Sequence, residues 1–152
     1  MLFKPGCTSF SYDDHHGLDL PTWLGRPIYA GASGSLYYRV DGCPEPGDAD
    51  YNPQISPSCG GYYGNHARIQ HGDNHVTIYA HMRRSSVAWY MSLLCGANIG
   101  QVGNSGLSSA SHLHFELWAS PSIGQRLDFF GGWPNNYVSY WTAYNNPSSR
   151  CQ

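Results

Sequence analysis

The sequence contains little charge, no basic cluster and no long apolar run. Eight Lys and Arg residues and ten Asp and Glu residues make up 12% of the 152 residues and leave a formal net charge of −2. Because no basic run can follow a phosphate backbone, nucleic acid is not expected as the main partner. The richest apolar stretch, residues 87–95, is far shorter than a membrane-spanning segment. We therefore expect one soluble domain, residues 1–152, that has no membrane span and acts as a monomer.

Two common zinc-binding patterns are also missing. No HExxH motif occurs, which argues against the peptidases that bind their metal through it. No CxxC pair occurs, which argues against a cysteine-rich zinc finger. The five cysteines instead favour disulfide bonds and an oxidising compartment, so a secreted or extracellular protein is expected. Cys43 and Cys59 bracket a stretch rich in Pro, Gly and Asp, where a local disulfide would help most, and Cys7 and Cys151 could tie the two ends of the chain. The pairing of the five cysteines, and which of them is a free thiol, stays open.

Glycine, proline, aromatic residues and histidine are abundant. The 18 Gly and 10 Pro residues predict many turns, and the 14% aromatic content, with 12 Tyr, is typical of strands and partly wet surfaces. The eight histidines equal Lys and Arg combined, so histidine chemistry is the first candidate for function. Together these features predict a mainly β fold with few or short helices.

Turn-forming residues divide the chain into segments. Residues 25–40 predict two short strands separated by a Gly-rich turn, and residues 41–65 predict one long loop. A hairpin is expected around Gly-Asp-Asn at residues 72–74. Helical or mixed character is considered only for residues 85–95, and a strand is expected over residues 111–118. Residues 1–14 form an N-terminal segment, and residues 119–152 form an aromatic C-terminal extension whose expected role is packing.

Apolar and polar residues alternate in the second hairpin strand and in the segment SHLHFELW. In the hairpin strand the predicted core residues are Val76, Ile78, Ala80 and Met82, and the predicted opposite face is His75, Thr77, Tyr79 and His81. In the later strand the two faces are Leu113, Phe115 and Leu117, and His112, His114, Glu116 and Trp118. Because the strand period is two residues, His112 and His114 project from one face.

Two histidine patterns can build a metal site. His112 and His114 can place two imidazoles in one pocket, one on a metal and the other beside it. His15 and Asp19 lie four residues apart, so they can converge in a strand or in a helical turn. Each pattern alone is weak, because a pair of surface imidazoles or a hydrogen-bonded turn explains it at least as well.

Taken together, the motifs are far more specific. The HxGxD segment that begins at His15, the middle segment IQHGDNHVTIYAHM and the later segment GANIGQVGNSGLSSASHLHFEL resemble the M23 family of zinc metallopeptidases. These are the lysostaphin and LytM type, which cut peptide cross-links in bacterial peptidoglycan. The resemblance runs from His15 to about Trp118, and HLHFEL and YAHM are its most specific parts. It implies an antiparallel β-sheet that forms an open groove walled by loops, and zinc-dependent endopeptidase action on peptidoglycan peptides.

The resemblance also implies a role for each motif residue. His15, Asp19 and His114 become the ligands of Zn²⁺, and His81 and His112 become two catalytic histidines beside the metal. A site of two histidines and one carboxylate leaves the metal a net positive charge, which can polarise a carbonyl and lower the pKa of bound water toward ~7. Which histidine takes the proton of the water and which hydrogen-bonds the oxyanion stays open.

The remaining histidines are given smaller roles. His16 competes with His15 for the ligand position, although the register of the motif favours His15. His71 occupies a position that often holds His in the family, and a secondary role is expected for it. His66 and His75 are interpreted as solvated strand or turn residues.

The glycine-rich run before HLH departs from the family pattern. It ends in LSSAS at residues 107–111, where a Ser-Thr-Gly-Pro-like sequence is usual. Since this loop borders the implied site, the departure affects substrate fit rather than metal binding. Whether the cleaved bond belongs to a glycine-rich bridge or to a D-amino-acid link stays open.

The residues are open to three other interpretations. A catalytically silent module of the same fold, which binds cell wall or a partner, would usually have lost metal ligands, whereas every implied ligand is present. A serine peptidase is suggested by Gly-Asn-Ser-Gly at residues 103–106, but the spacing of a G-x-S-x-G elbow is lacking. A purely structural zinc site would need a fourth protein ligand, such as Cys59 or Cys95.

Overall fold

The computed structural model describes residues 17–89, 92–122 and 126–127. Within these ranges the chain forms eight β-strands and one three-residue 3-10 helix, Ser56–Ser58, which confirms the mainly β prediction. The helical character considered for residues 85–95 is not found in the described part of that segment, which contains one short strand. The strands are β1 (Leu18–Pro21), β2 (Pro27–Tyr29), β3 (Gly34–Val40), β4 (Asn65–Gln70), β5 (Val76–Met82), β6 (Ser92–Leu93), β7 (Asn98–Gln101) and β8 (His112–Trp118).

Six strands form one antiparallel sheet in the order β1-β8-β5-β4-β3-β6. Strands β2 and β7 form a separate antiparallel pair. The predicted hairpin is confirmed as β4–β5, and its turn is closed by the N–H of His71, which donates to the carbonyl of His75 at 2.8 Å. Asn74 in this turn has φ +72°, a left-handed conformation that Asn tolerates better than most residues. No helix in the described ranges is long and apolar enough to cross a membrane.

The main apolar core lies on one face of the six-stranded sheet. Phe115 on β8 lies opposite Tyr79 on β5, with ring centroids 4.9 Å apart, and Phe115 and Leu113 pack against the core as predicted. Because neighbours on a strand point to opposite faces, the β8 histidines project from the other face. The buried core residues are Ile28, Ala30, Leu36, Ala67, Ile69, Tyr79, Met82, Val87, Leu93, Ile99 and Val102.

The alternation predicted for β5 is only partly right. All seven residues of the strand are buried, so both of its faces are covered. Tyr79 lies in the main core, although it was predicted to face away from it. Ile78 and Ala80, predicted to face the core, lie opposite Glu116 and His114 on the other side of the sheet.

A β-bulge near the end of β5 changes the direction of His81. In the pairing of β4 with β5, Asn65 lies opposite Met82 and Ala67 lies opposite Tyr79, so β5 holds one residue more than β4 between these pairs. His81 lies in this interval and has φ +55°. Strict alternation would place it on the core face with Tyr79, but a bulge re-aims side chains and turns His81 toward the face of the β8 histidines.

The predicted long loop at residues 41–65 is fixed at both ends. Cys43 and Cys59, one of several pairings that the sequence left open, form a disulfide. The fully buried side chain of Asn65 accepts hydrogen bonds from the N–H groups of Gly42 (2.8 Å) and Cys43 (2.7 Å). Its amide group donates to the carbonyls of Cys43 (3.0 Å) and Met82 (3.2 Å). These contacts hold the loop against the end of β5, beside His81.

Candidate active site

The centre of the candidate site is a carboxylate–imidazole pair formed by neighbouring strands. Asp19 on β1 lies directly opposite His114 on β8, so the two side chains share a face of the sheet. Asp19 Oδ1 lies 2.9 Å from His114 Nδ1 and 3.4 Å from His112 Nε2. The structure therefore brings together the carboxylate and both histidines that the sequence singled out.

His81 and His112 lie beside this pair, each oriented by a backbone carbonyl. Nδ1 of His81 lies 2.8 Å from the carbonyl of Ser105, and Nδ1 of His112 lies 2.8 Å from the carbonyl of Ala110. Since a carbonyl only accepts, each Nδ1 carries a proton, and Nε2 of the neutral ring carries the lone pair. The ring centroid of His81 lies 4.7 Å from that of His112 and 5.7 Å from that of His114.

The second nitrogen of His114 faces Glu116, for which the sequence motifs imply no role. His114 Nε2 lies 3.0 Å from Oε1 of this carboxylate, which is only 1% exposed. Glu116 also accepts hydrogen bonds from the Tyr63 hydroxyl (2.8 Å), Arg126 Nε (3.1 Å) and the indole N–H of Trp118. The available signal was the same-face spacing of His114 and Glu116, but Tyr63 lies 53 residues and Arg126 10 residues from Glu116 along the chain, and no local pattern connects them to it.

The ionisable groups of the site have displaced pKa values. Burial is the main cause that lowers the pKa of His81 to about 4, so its ring is neutral near pH 7. Burial is the largest single effect on the pKa values of His112 and His114 and acts to lower both, but the hydrogen bonds and nearby charges together outweigh it, from Asp19 and the Ala110 carbonyl at His112 and from Asp19 and Glu116 at His114. The pKa values of His112 and His114 are therefore raised. Burial acts to raise the pKa of Glu116, but the hydrogen bonds that it accepts reverse this effect and keep it charged.

These side chains line an open cavity of about 450 Å³ between two loops. Tyr62, 60% exposed, comes from the loop at residues 41–65, and Leu107, 63% exposed, comes from the loop that precedes β8. The N–H of Leu107 donates to the carbonyl of Tyr62 at 2.8 Å, which joins the two loops. Ser108, next to Leu107, lies 3.2 Å from the ring of His112. The segment that departs from the family pattern thus forms part of the cavity wall.

The donor chemistry of the site suits zinc, and the described residues contain part of the implied ligand set. Carboxylate oxygen and imidazole nitrogen are ordinary zinc ligands, and Asp19 and His114 present them at one point. The implied third ligand, His15, and its competitor His16 lie outside the described residues. Over residues 17–89, 92–122 and 126–127, no group of three or more His, Cys, Asp or Glu side chains is arranged to hold a metal ion.

The residues that a serine peptidase or a structural zinc site would require have structural roles instead. Ser105 is fully buried, and its hydroxyl donates to the carbonyl of Met82 (2.7 Å) and accepts from the N–H of Asn65 (2.9 Å). It is therefore not available as a nucleophile. Cys59 and Cys95 are both disulfide-bonded, so neither is a thiolate ligand for a structural zinc ion.

The other described histidines do not line the cavity. His71 lies 2.8 Å from the hydroxyl of Thr77, and His75 pairs with Asp73 in the hairpin turn. The prediction that His66 is solvated is wrong, because this side chain is only 1% exposed. It projects from the face of the sheet that carries aromatic side chains, and alternation along β4 alone does not reveal that this face is covered.

Comparison with known sequences matches most of the chain to one family. The sequence model described as Peptidase family M23 matches residues 13–128. The peptidoglycan DD-endopeptidase ShyA of Vibrio cholerae is 29% identical over 103 residues, which are 68% of this chain and 20% of that protein. The DD-carboxypeptidase/endopeptidase Mpg of Neisseria meningitidis is 30% identical over 102 residues, which are 67% of this chain and 19% of that protein. The chain spans about a fifth of the length of these curated relatives.

Solved structures with similar folds include two catalytic domains. A mutant catalytic domain of the prophage-encoded M23 protein EnpA from Enterococcus faecalis is 26% identical, with a TM-score of 0.60 and coverage of 86% of both chains. The catalytic domain of the antimicrobial peptidase lysostaphin from Staphylococcus simulans is 25% identical, with a TM-score of 0.56 and coverage of 75% of this chain and 74% of that chain.

Proposed function

Because the chain belongs to peptidase family M23, we propose that it is a zinc-dependent endopeptidase that hydrolyses cross-links or stem peptides of bacterial peptidoglycan. The convergence of Asp19, His81, His112 and His114 in one open cavity carries this proposal. The name of the relative ShyA, a peptidoglycan DD-endopeptidase, supports the substrate class. Since that substrate lies outside the cytoplasm, the proposed place of action is extracellular or at the cell wall.

In this proposal His15, Asp19 and His114 hold the zinc ion. When bound, zinc supplies a Lewis acid that polarises the scissile carbonyl and lowers the pKa of its water toward ~7. The hydrogen bond between Asp19 and His114 supports the assignment of these two residues, because it places a carboxylate oxygen and an imidazole nitrogen side by side. The assignment of His15 rests on its place in the HxGxD motif.

The two neighbouring histidines divide the proton transfers. His81 is neutral and protonated at Nδ1, so its Nε2 can accept a proton from the attacking water. His112 holds its Nε2 toward Asp19 while its Nδ1 is bonded to the Ala110 carbonyl, so in its protonated form it suits the role of donor to the developing oxyanion or to the leaving amine.

The first experiment is to incubate the zinc-loaded protein with purified cross-linked peptidoglycan, with and without a chelator, and to identify the products by mass spectrometry. New peptide ends that disappear with the chelator would support the proposal, and their masses would identify the bond. If protein shown to hold zinc cleaves none of several cross-link types, the proposal fails, and a catalytically silent module that binds cell wall becomes the better interpretation.

Variants of the proposed ligands provide a sharper test. Asp19→Ala and His114→Ala should each lose zinc and activity together, because each removes a metal donor. His75→Ala is the matched control, since this histidine lies in the β4–β5 turn and pairs with Asp73 away from the cavity. Zinc content measured after dialysis should fall for the two ligand variants and stay at the wild-type level for the control. Full zinc content in either ligand variant would contradict the assignment of that residue.

A further inference from the structure

The buried carboxylate of Glu116 lies behind the site, on the side of His114 away from Asp19. His114 Nδ1 contacts Asp19 at 2.9 Å, and His114 Nε2 contacts Glu116 at 3.0 Å, so the two nitrogens of one ring face two different carboxylates. Asp19 lines the cavity with a side chain that is 30% exposed, whereas the side chain of Glu116 is 1% exposed. Asp19 is therefore the carboxylate more accessible to a metal ion in the cavity.

A charge at this depth needs compensation from its neighbours. Glu116 lies opposite the buried, apolar Ile78 on β5. Removing a carboxylate from water is unfavourable unless several hydrogen bonds compensate it. Here Oε1 accepts from His114 and Tyr63, and Oε2 accepts from Arg126 and Trp118. Two partners from β8 itself and two from outside the strand thus hold one buried carboxylate in a fixed position.

The carboxylate determines which nitrogen of His114 can bind a metal. A charged carboxylate only accepts hydrogen bonds, so His114 donates from Nε2 to Glu116 and from Nδ1 to Asp19. A metal ion bound on the Asp19 side would replace the proton on Nδ1, while Glu116 keeps the other proton on Nε2. Carboxylates that accept a hydrogen bond from a metal-bound histidine orient the ring and increase its basicity.

We infer that Glu116 is a positioning residue that holds His114 with Nδ1 directed at the proposed metal position. The inference rests on the proposed function, since it requires His114 to be a zinc ligand. Glu116 lines the inner end of the cavity and acts through the His114 ring rather than on the substrate. Tyr63 and Arg126, which bridge to each other at 3.3 Å, keep the carboxylate in place.

The test compares Glu116→Gln with Glu45→Gln. Glu116→Gln keeps the size of the side chain but removes its charge and one of its two acceptors. Glu45→Gln makes the same change at a buried carboxylate that accepts from the N–H groups of Arg84 and Asn104 and does not line the cavity. Zinc affinity is measured by competition with a chromophoric chelator, and folding is checked by circular dichroism. We expect zinc binding to weaken by about 10- to 100-fold in Glu116→Gln and to stay at the wild-type value in Glu45→Gln.

A second measurement uses the unaltered protein, so the test does not depend on the folding of a variant. In the zinc-loaded wild type, a long-range ¹H–¹⁵N NMR spectrum should show the ring of His114 protonated at Nε2 and not at Nδ1. Protonation at Nδ1, or wild-type zinc affinity in a folded Glu116→Gln variant, would overturn the inference and leave the proposed function standing. A wild-type protein that binds no zinc would instead remove the proposed function, and the inference with it.

Discussion

Replacing Gly17 by alanine should inactivate the protein, although it removes no functional group. A Cβ atom at Gly17 would lie 2.5 Å from Cε1 and 2.7 Å from Nε2 of His114, and 2.7 Å from the carbonyl oxygen of Phe115. Ordinary contacts of a Cβ atom begin at 3.4 Å, so the imidazole or the pairing of β1 with β8 must move by about 1 Å. A misplacement of about 1 Å costs about 100-fold in rate, and overpacking costs about 1–3 kcal/mol of stability.

The assay measures kcat/KM for chelator-sensitive cleavage of a peptidoglycan cross-link peptide, together with zinc affinity and the free energy of unfolding. Gly72→Ala is the matched control, because a Cβ atom there meets nothing within 4 Å. We expect the control to keep wild-type values for zinc affinity and kcat/KM. Wild-type activity and zinc affinity in Gly17→Ala would refute the reasoning that close contact between Gly17 and His114 maintains the site.

Three further predictions concern His81, Asn65 and His66. His81→Ala should keep zinc and lose about 100- to 10,000-fold in kcat; an unchanged kcat would remove His81 from the mechanism. Asn65→Ala leaves the buried N–H groups of Gly42 and Cys43 without their acceptor, so the free energy of unfolding in urea should fall by about 2–6 kcal/mol; a loss below about 1 kcal/mol would contradict this role. Burial lowers the pKa of His66 from 6.5, its ordinary value, to about 4 in the folded chain. Between pH 6.5 and about pH 4 the unfolded chain therefore binds a proton that the folded chain excludes. The free energy of unfolding should therefore fall as the pH drops through this interval, and more steeply than in His66→Phe, since that variant has no such group; equal slopes would show that His66 does not contribute.

Several parts of the site could be predicted because they depend on local backbone geometry. His112 and His114 share a face since a strand alternates with a period of two residues, and the paired strands keep that alternation. The hairpin before His81 follows from the turn residues at its tip. The disulfide between Cys43 and Cys59 was a candidate because of the loop that they bracket, but the sequence did not choose it over other pairings. Membership of the M23 family was also readable, because its motifs are short and ordered along the chain.

Other parts could not be predicted from alternation. By period two His81 belongs to the face of Tyr79, and only the extra residue in β5 relative to β4 turns it toward His114. The burial of His66 was missed because a polar residue on a strand is usually assigned to solvent. The partners of Glu116 were missed because Tyr63 lies 53 residues away from it in the sequence.

The sequence by itself determined the β architecture, the family and the residue types that can bind zinc and move protons, since these depend on short motifs and on the two-residue period of a strand. Only the tertiary structure decided that His81 reaches the site, that Glu116 lies behind His114, and that the loop at residues 41–65 meets Leu107 at the cavity wall. These features depend on how separate strands and loops pair and pack. Such contacts join residues that are distant along the chain, and no local pattern of residue types specifies them.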